Sequence, residues 1–373
     1  MNGSDFRKLK IYIFLQNLTN SSYNPFMSFL AVVVGVPSYL LGIVTSSTTA
    51  FTNLSSFIFS LFKIEPKRLM LFSNFGISIT LLLFSFLVLN PIYFTLLYVI
   101  ISALLGASSF SWYLFAEELT RGVKRGSKLA DLSFYSTLGS SIATVIVGFF
   151  LDKELSVISI VFIICSIITL VSTIIIYFST LTYHEHQNLL NKYNRINKFY
   201  IENFIFMITW SFAWPLFPIV QVKILSMSSA QIALTSIIST LSTLAFQKVI
   251  GKLVDKNIKL SMFLGRILLA TFPLTYALAT NVYQIYLINI VSGFTNAISN
   301  VAFFAFVVEE SKEKRRGIGL YNLVNGFGSL IGSVIGSITF SVVSQFQGLD
   351  AAKTLLMVAT IMRILASIPF LFI

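Results

Sequence analysis

Residues 228–279 read SSAQIALTSIISTLSTLAFQKVIGKLVDKNIKLSMFLGRILLATFPLTYALA, with two apolar tracts, 228–246 and 260–279, around the charged island GKLVDKNIK at 251–259. A helix needs roughly 20 apolar residues to cross the ~30 Å hydrocarbon core of a bilayer, and each tract has about that length. Because lipid offers no hydrogen-bond partners, such tracts must pair their backbone groups within a helix. This stretch therefore predicts two membrane-spanning helices joined by a short charged turn.

The rest of the chain repeats this pattern. Of its 373 residues, 56% are hydrophobic and 11% are charged, whereas a soluble domain carries about 25% charged residues. The alternating segments that are typical of outer-membrane barrels do not occur. We predict an all-α polytopic membrane protein with twelve transmembrane helices. The predicted bounds are 9–33, 38–62, 69–89, 92–116, 128–150, 155–180, 199–222, 229–249, 260–280, 283–308, 317–343 and 351–373.

The positive charges lie mostly on one side of these spans. Of the 26 Lys and Arg residues, 21 fall at the termini or in even-numbered loops, and only three, Lys153, Lys223 and Lys353, fall in odd-numbered loops. This positive-inside asymmetry predicts that both termini lie in the cytoplasm. Because no transit signal is recognised in this compact chain, we expect a multi-pass protein of the cytoplasmic (plasma) membrane. The net charge of +12 therefore reflects topology, and no nucleic-acid partner is predicted.

The two halves of the chain resemble each other at an offset of about 190 residues, which aligns Glu65 with Asp255. Two Glu-to-Arg pairs with the same spacing also align: Glu118 with Arg125, and Glu309 with Arg316. We predict two pseudo-symmetric six-helix bundles, 1–181 and 199–373, joined by a cytoplasmic linker at 182–198. Parallel repeats of this kind place a central cavity between the bundles near the bilayer midplane.

With this repeat in place, the charged island resembles the loop signature of the major facilitator superfamily. In that signature a glycine precedes an aspartate by four residues and a basic residue follows, as Gly251, Asp255 and Lys256 do here. The first half retains the acid, Glu65, but not the glycine. The resemblance implies a cytoplasmic gate in which the acid meets the start of a helix in the other half and steadies the outward-facing state. The alternative is a solvated loop with a helix-capping acid.

A carboxylate beside a helix N-terminus gains about 0.3–1 kcal/mol when it is exposed. The expected contacts are Asp255 with Ser127, and Glu65 with Gly317. The gate residues predicted in this way are Glu65, Gly251, Asp255, Lys256, Glu118, Arg125, Glu309 and Arg316.

The family fold implies that spans one, four, seven and ten line the cavity, and polar residues recur along them at helical spacing. A carboxamide that faces lipid is costly, so these side chains are predicted to point inward. The alternatives are hydrogen bonding between helices for the amides and anchoring at the membrane interface for the tryptophans. The predicted cavity residues, with two from spans five and eleven, are Gln16, Asn20, Asn24, Trp112, Tyr135, Asn203, Trp210, Trp214, Asn296, Asn300 and Asn322.

Few charged residues lie inside the spans. For Arg266 and Arg363, structural pairing or snorkelling toward the interface is favoured over binding of an anionic substrate. Asp131 and Glu202 are consistent both with proton carriers and with helix-end charges. No carboxylate lies at the midplane of the four cavity spans, so facilitated diffusion stays open beside proton coupling. No metal site, cofactor or catalytic residue is predicted.

These features predict a protein that is not an enzyme. Its predicted function is secondary active or facilitative transport of a small solute by alternating access, a rocker-switch motion of the two halves. Amides and tryptophans suit a neutral or amphipathic solute such as a sugar, a metabolite or a small drug-like molecule. The alternatives are a non-transporting receptor on the same fold and a multidrug efflux antiporter. The predicted partners are the solute and the lipid bilayer, with protons left open, and the protein is predicted to be a monomer.

Overall fold

The computed structural model describes residues 3–62, 64–120, 125–153, 157–179, 195–298, 302–303, 306–307, 310–311 and 314–372. Every regular element in these ranges is helical. The α-helices are α1 (Gly3–Val34), α2 (Ser38–Leu61), α3 (Pro66–Leu87), α4 (Pro91–Thr120), α5 (Arg125–Lys153), α6 (Val157–Tyr177), α7 (Arg195–Phe212), α8 (Leu216–Ile219), α9 (Ser229–Lys256), α10 (Ile258–Ile267), α11 (Thr271–Leu278), α12 (Val282–Ile298), α13 (Lys314–Gln347) and α14 (Asp350–Ser367).

Nine helical segments of the described chain are long and apolar enough to cross a membrane. They are Pro66–Leu87, Pro91–Phe115, Phe134–Asp152, Val157–Tyr177, Ile196–Ile224, Ser229–Phe246, Ile258–Leu278, Arg316–Gln347 and Asp350–Leu371. Helices α1 and α2 are long enough, but they are rich in amides and hydroxyl groups, and α12 is described over only 17 residues. The prediction of an all-helical multi-pass membrane protein is confirmed, whereas the count of twelve spans stays a prediction.

Two of the predicted spans are interrupted beside prolines. Helix α7 ends two residues before Trp214, and α8 begins after Pro215 and continues into the π-helical turn Val220–Ile224. Helices α10 and α11 are separated by the 3₁₀ turn Leu268–Ala270, just ahead of Pro273. Proline has no backbone N–H and its ring crowds the preceding turn, so a helix tends to break or kink there.

Glycines on α13 let this helix pack closely against two neighbours. A Cβ atom at Gly332 or Gly336 would meet the carbonyl oxygen of Ile208 or Phe212 in α7, and one at Gly326 would meet α2. Small residues allow helix backbones to approach in this way within membranes. Helix α13 is therefore held between α2 and α7, that is, between one helix of each predicted half.

The start of α1 and the start of α3 lie beside the end of α6. The Nζ atom of Lys8 donates a hydrogen bond to the carbonyl of Phe178 (2.8 Å), and Nζ of Lys67 donates to the carbonyl of Ser179 (2.5 Å). The start of α7 meets the end of the chain, where Lys198 donates to the carbonyl of Phe372 (3.0 Å). We call the side that holds these helix ends the basic face, and the other side the opposite face.

The apolar core differs between the two faces. Toward the opposite face, one large buried cluster combines residues of both predicted halves, such as Phe26 of α1 and Leu216 of α8. Toward the basic face, the described core is divided into two clusters. One contains Phe115 and belongs to the first predicted half, and the other contains Phe303 and belongs to the second.

Candidate substrate site and gates

The predicted amide stripe on α1 has partners in neighbouring helices. Gln16 is buried, and its Oε1 atom accepts a hydrogen bond from the hydroxyl of Ser172 in α6 (3.4 Å). The Oδ1 atom of Asn24 accepts one from the hydroxyl of Tyr98 in α4 (3.3 Å), and Asn20 accepts one from a tyrosine on its own helix. Gln16 and Asn24 thus form the interhelical hydrogen bonds that the sequence left open as an alternative, and their contact with a solute stays a prediction.

A buried polar triad in the first half was not predicted. The Nδ2 atom of Asn74 in α3 donates to the hydroxyl of Tyr12 in α1 (3.2 Å), and Ser108 in α4 donates to Oδ1 of Asn74 (2.8 Å). Trp112 packs beside Tyr12, with ring centroids 5.8 Å apart. The available signal was Asn74 itself, because an amide inside an apolar span needs a partner.

The second half has a matching buried cluster around Arg266. Its Nη2 atom donates to Oδ1 of Asn203 (2.6 Å), and Nδ2 of Asn203 donates to Oδ1 of Asn325 (2.8 Å). The guanidinium also lies over the rings of Phe303 (4.0 Å) and Phe206 (4.4 Å), where cation–π attraction stabilises it. This is structural pairing, as favoured for Arg266 from the sequence. Asn203 is fully buried and hydrogen-bonds protein groups through both its oxygen and its nitrogen.

Trp210 and Trp214 lie at the interruption between α7 and α8. Both are partly buried, and their rings meet edge to face with centroids 5.1 Å apart. The Nη2 atom of Arg363 donates to the carbonyl of Trp210 (2.5 Å), and Nη1 donates to the carbonyl of Leu269 (2.6 Å). Arg363 is completely buried, so it too has structural partners, in this case backbone carbonyls.

The remaining predicted cavity residues have mixed surroundings. Asn296 is exposed, and its Nδ2 atom lies within hydrogen-bonding distance of Ser239 in α9 (3.5 Å) and Ser292 (3.3 Å). Asn322 is partly buried. Tyr135 lies under the ammonium group of Lys10, which is 5.3 Å from the ring centroid.

The predicted gate at the basic face is described only in part. Glu65 forms an ion pair with Arg68, one turn later (2.7 Å), and the carbonyl of Gly317 accepts a hydrogen bond from Tyr200 (2.9 Å). In this conformation Glu65 thus has a local partner, as is common for opposite charges three residues apart, and its contact with the start of a helix in the other half stays a prediction. Lys256 and Arg316 are exposed.

Several predicted residues lie outside the described part of the chain. These are Asn300 and Glu309, together with the surroundings of Gly251 and the side chains of Glu118, Arg125, Asp131 and Asp255.

Glu202 lies in the first turns of α7 and pairs with Lys198, one turn earlier. The Oε1 atom is 3.6 Å from the lysine Nζ, and the side chain of Glu202 is 11% exposed. The other carboxylate oxygen, Oε2, is buried without a hydrogen-bond partner in the described residues. The ion pair is what a helix-end charge would form, and a proton-carrying role for Glu202 stays a prediction.

A contact at the opposite face, not suggested by the sequence, joins the ends of α5 and α9. The Oδ1 atom of Asp152 lies 3.4 Å from the hydroxyl of Ser229 and 3.5 Å from the backbone nitrogen of Ala230, in the first turn of α9. One turn earlier on α5, a Cβ atom at Gly148 would meet the side chain of Ala233. A carboxylate here faces a helix N-terminus, which is the kind of contact predicted for Asp255 at the other end of the same two helices.

Solved structures that share this fold include transporters. The nucleoside transporter NupG has a TM-score of 0.78 at 17% identity, over 100% of this chain and 99% of that chain. Tetrameric PepTSo2 has a TM-score of 0.76 at 12% identity, over 98% and 97%. A POT family transporter in complex with a thioalcohol-conjugated peptide has a TM-score of 0.75 at 12% identity, over 98% and 96%.

A comparison with curated protein sequences gives no significant match. In contrast, the sequence model of the Major Facilitator Superfamily matches residues 11–194 and 199–373, which include nearly the whole of both predicted halves. The expectation from the charged island is therefore confirmed: the chain belongs to the major facilitator superfamily of membrane transporters.

Proposed function

We propose that this protein moves a small solute across the plasma membrane by alternating access of two six-helix halves, 1–181 and 199–373, with the basic face and both termini in the cytoplasm. The observation that carries the proposal is the asymmetry of the apolar core. One cluster joins the halves toward the opposite face, whereas each half has its own cluster toward the basic face. A rocking motion would break the joint cluster and bring the two separate clusters together.

Matching contacts in the two halves support their pseudo-symmetry. Thr52 of α2 donates a hydrogen bond to a carbonyl oxygen of α4 (3.0 Å), and Gly106 of α4 packs against Thr52. About 190 residues later, Ser242 of α9 donates to a carbonyl oxygen of α12 (2.6 Å), and Gly293 of α12 packs against Ser242. Such repeated joints are expected of two halves that pack alike and move as units.

The solute that these residues suit best is neutral or amphipathic. Trp210 and Trp214 offer flat apolar rings, and Asn296 and Asn322 offer amide donors and acceptors. The two buried arginines already hydrogen-bond protein groups, which argues against a carboxylate or phosphate solute. Because NupG, which shares the fold, is a nucleoside transporter, nucleosides are the first neutral solutes to test.

Flux into proteoliposomes tests this function directly. The purified protein would be assayed with nucleosides, hexoses and dipeptides, with and without a pH gradient. We expect saturable uptake of one neutral class, at least tenfold slower in Trp214→Leu, and near-normal uptake in the control Tyr283→Leu, which changes an exposed aromatic residue. Ligand-induced thermal stabilisation without flux would favour the receptor alternative and defeat the transporter proposal.

We further propose that Asp152 and Asp255 act as opposed gate residues. Asp152→Asn should weaken the α5–α9 contact at the opposite face, and Asp255→Asn should weaken the one proposed at the basic face. A carboxylate at an exposed helix N-terminus is worth about 0.3–1 kcal/mol, so each change should shift the ratio of the two conformations by about two- to fivefold, in opposite directions.

Thiol labelling would measure this shift. In a Cys165→Ser background, which removes the chain's one cysteine, a cysteine placed at Asn24 would be labelled from the opposite face of sealed vesicles. Labelling should rise in Asp152→Asn and fall in Asp255→Asn. Asp350→Asn, which changes an acid in the first turn of its own helix α14, should leave it unchanged. Shifts of the same sign in both variants would contradict the opposed gates.

A further inference from the structure

Pro273 deprives one carbonyl of its hydrogen bond in the middle of a membrane helix. In an α-helix, the N–H of residue i+4 donates to the carbonyl of residue i. The donor for Leu269 would be residue 273, and proline has no N–H. The 3₁₀ turn Leu268–Ala270 occurs at this point. The carbonyl of Leu269 therefore lacks its α-helical donor.

Pro215 also deprives a carbonyl of α7 of its hydrogen bond, but indirectly, through a shift in the bond that Trp214 donates. It removes the donor for the carbonyl of Ser211, which instead accepts a hydrogen bond from the N–H of Trp214 (2.9 Å). The N–H of Trp214 would otherwise donate to the carbonyl of Trp210, so the carbonyl of Trp210 also lacks its α-helical donor. An unpaired backbone group buried in lipid or protein costs several kcal/mol, on the order of a lost hydrogen bond or more.

Both leftover carbonyls are bound by one guanidinium, that of Arg363 in α14. Its two Nη atoms donate to the carbonyls of Leu269 (2.6 Å) and Trp210 (2.5 Å). Arg363 is 0% exposed, and its charge lies 5.8 Å from the ring of Phe217. Within the described residues it forms no ion pair with a carboxylate. Two charge-assisted hydrogen bonds to carbonyls therefore stabilise this buried cation, whose Nε has no hydrogen-bond partner in the described residues.

We propose that Arg363 is a positioning residue that replaces the two backbone donors removed by Pro215 and Pro273, and that it thereby fixes the bend in α7 at Trp210 and Trp214. The planar fork of arginine presents two donors at a set spacing, which a single ammonium group does not. Helix α14 thus holds the interruption in α7 against the interruption between α10 and α11. The importance of this bend for solute binding rests on the proposed function, but the hydrogen-bonding role does not.

A double-mutant cycle tests the proposal without any substrate. Arg363→Met should lower the apparent melting temperature of the detergent-purified protein by roughly 10 °C, since two charge-assisted hydrogen bonds are lost. Pro273→Ala restores a backbone N–H for Leu269, and Pro215→Ala frees the N–H of Trp214 for Trp210. Adding both alanines to Arg363→Met should recover at least half of the lost melting temperature.

Arg266→Met is the matched control. Arg266 is equally buried but donates to a side chain, Asn203, and not to a carbonyl beside a proline. Adding Pro215→Ala and Pro273→Ala to Arg266→Met should therefore recover little of the melting temperature that Arg266→Met loses. The proposal would be overturned if the two alanines recovered the melting temperature equally in both backgrounds, or if they recovered none of it in the Arg363→Met background. If Arg363→Met gives no folded protein, Arg363→Lys provides the same comparison, because it keeps the charge but replaces the two spaced Nη atoms with a single nitrogen.

Acrylamide quenching of the tryptophan fluorescence reports the position of the bend, and a general loss of stability would not change it in the folded protein. In a Trp112→Phe background the only tryptophans are Trp210 and Trp214. Well below the melting temperature, Arg363→Met should raise their quenching by acrylamide about twofold, and the added alanines should reverse this rise. Unchanged quenching in the folded Arg363→Met protein would show that Arg363 does not position the bend. Solute flux in the same variants would test the transporter proposal separately.

Discussion

Gly332→Leu is expected to prevent α13 from docking on α7 and to abolish the yield of monodisperse protein. Any Cβ atom at position 332 would meet the carbonyl oxygen of Ile208 and the side chain of Ser211, both in α7. Helix α13 cannot move far away from α7 to relieve this clash, because α2 packs on its other side. Changes above about 4 kcal/mol are exceptional for single substitutions, and a backbone clash in a packed core is one cause of them. Such a loss is a large part of a total stability of about 5–15 kcal/mol.

Size-exclusion profiles of a fluorescent fusion would measure this effect. Ile331→Phe is the control, because it adds bulk at the adjacent residue, whose side chain is 38% exposed on the outside of the helix. That variant should give a near-normal profile and melting temperature. A normal profile for Gly332→Leu would mean that the close approach of α13 to α7 is not required for folding.

Asn203→Leu is expected to be more harmful than Arg266→Met. The leucine would leave the buried guanidinium of Arg266 without its one described hydrogen-bond acceptor, and removing one partner of a buried charged group typically costs about 3–5 kcal/mol. Methionine in place of Arg266 removes the charge together with its need for a partner. The double variant Asn203→Leu/Arg266→Met should therefore be more stable than Asn203→Leu alone, as measured by thermal unfolding.

The same double variant tests the predicted cavity role of Asn203. If it folds and transports with an unchanged KM, Asn203 acts only through Arg266 and Asn325. A raised KM in the folded double variant would show that Asn203 also contacts the solute. Additive losses of stability in the two single variants and the double variant would contradict the coupling of Asn203 with Arg266, since residues that do not interact add their effects.

Much of the fold followed from the sequence because hydrophobic length and charge are local properties. The charged island at 251–259 marked the boundary between two helices and carried the family resemblance. Residues 251–256 nevertheless form the end of α9, and only Asn257 separates it from α10. The breaks beside Pro215 and Pro273 agree with the tendency of proline to interrupt a helix, although Pro25 lies inside the uninterrupted helix α1. The partners of the polar residues were harder to predict. Amides can face a cavity or another helix equally well, and periodicity reports only that they avoid lipid.

The sequence by itself thus determined the class and the superfamily, since the bilayer acts on each segment through its length and polarity alone. Only the tertiary structure decided which groups meet. It paired Asn203 with Arg266, gave Asp152 the start of α9, and brought Arg363 to two carbonyls that lie about 60 residues apart in sequence. These contacts depend on the relative placement of helices that are distant in the chain, and the local pattern of no single helix contains that information.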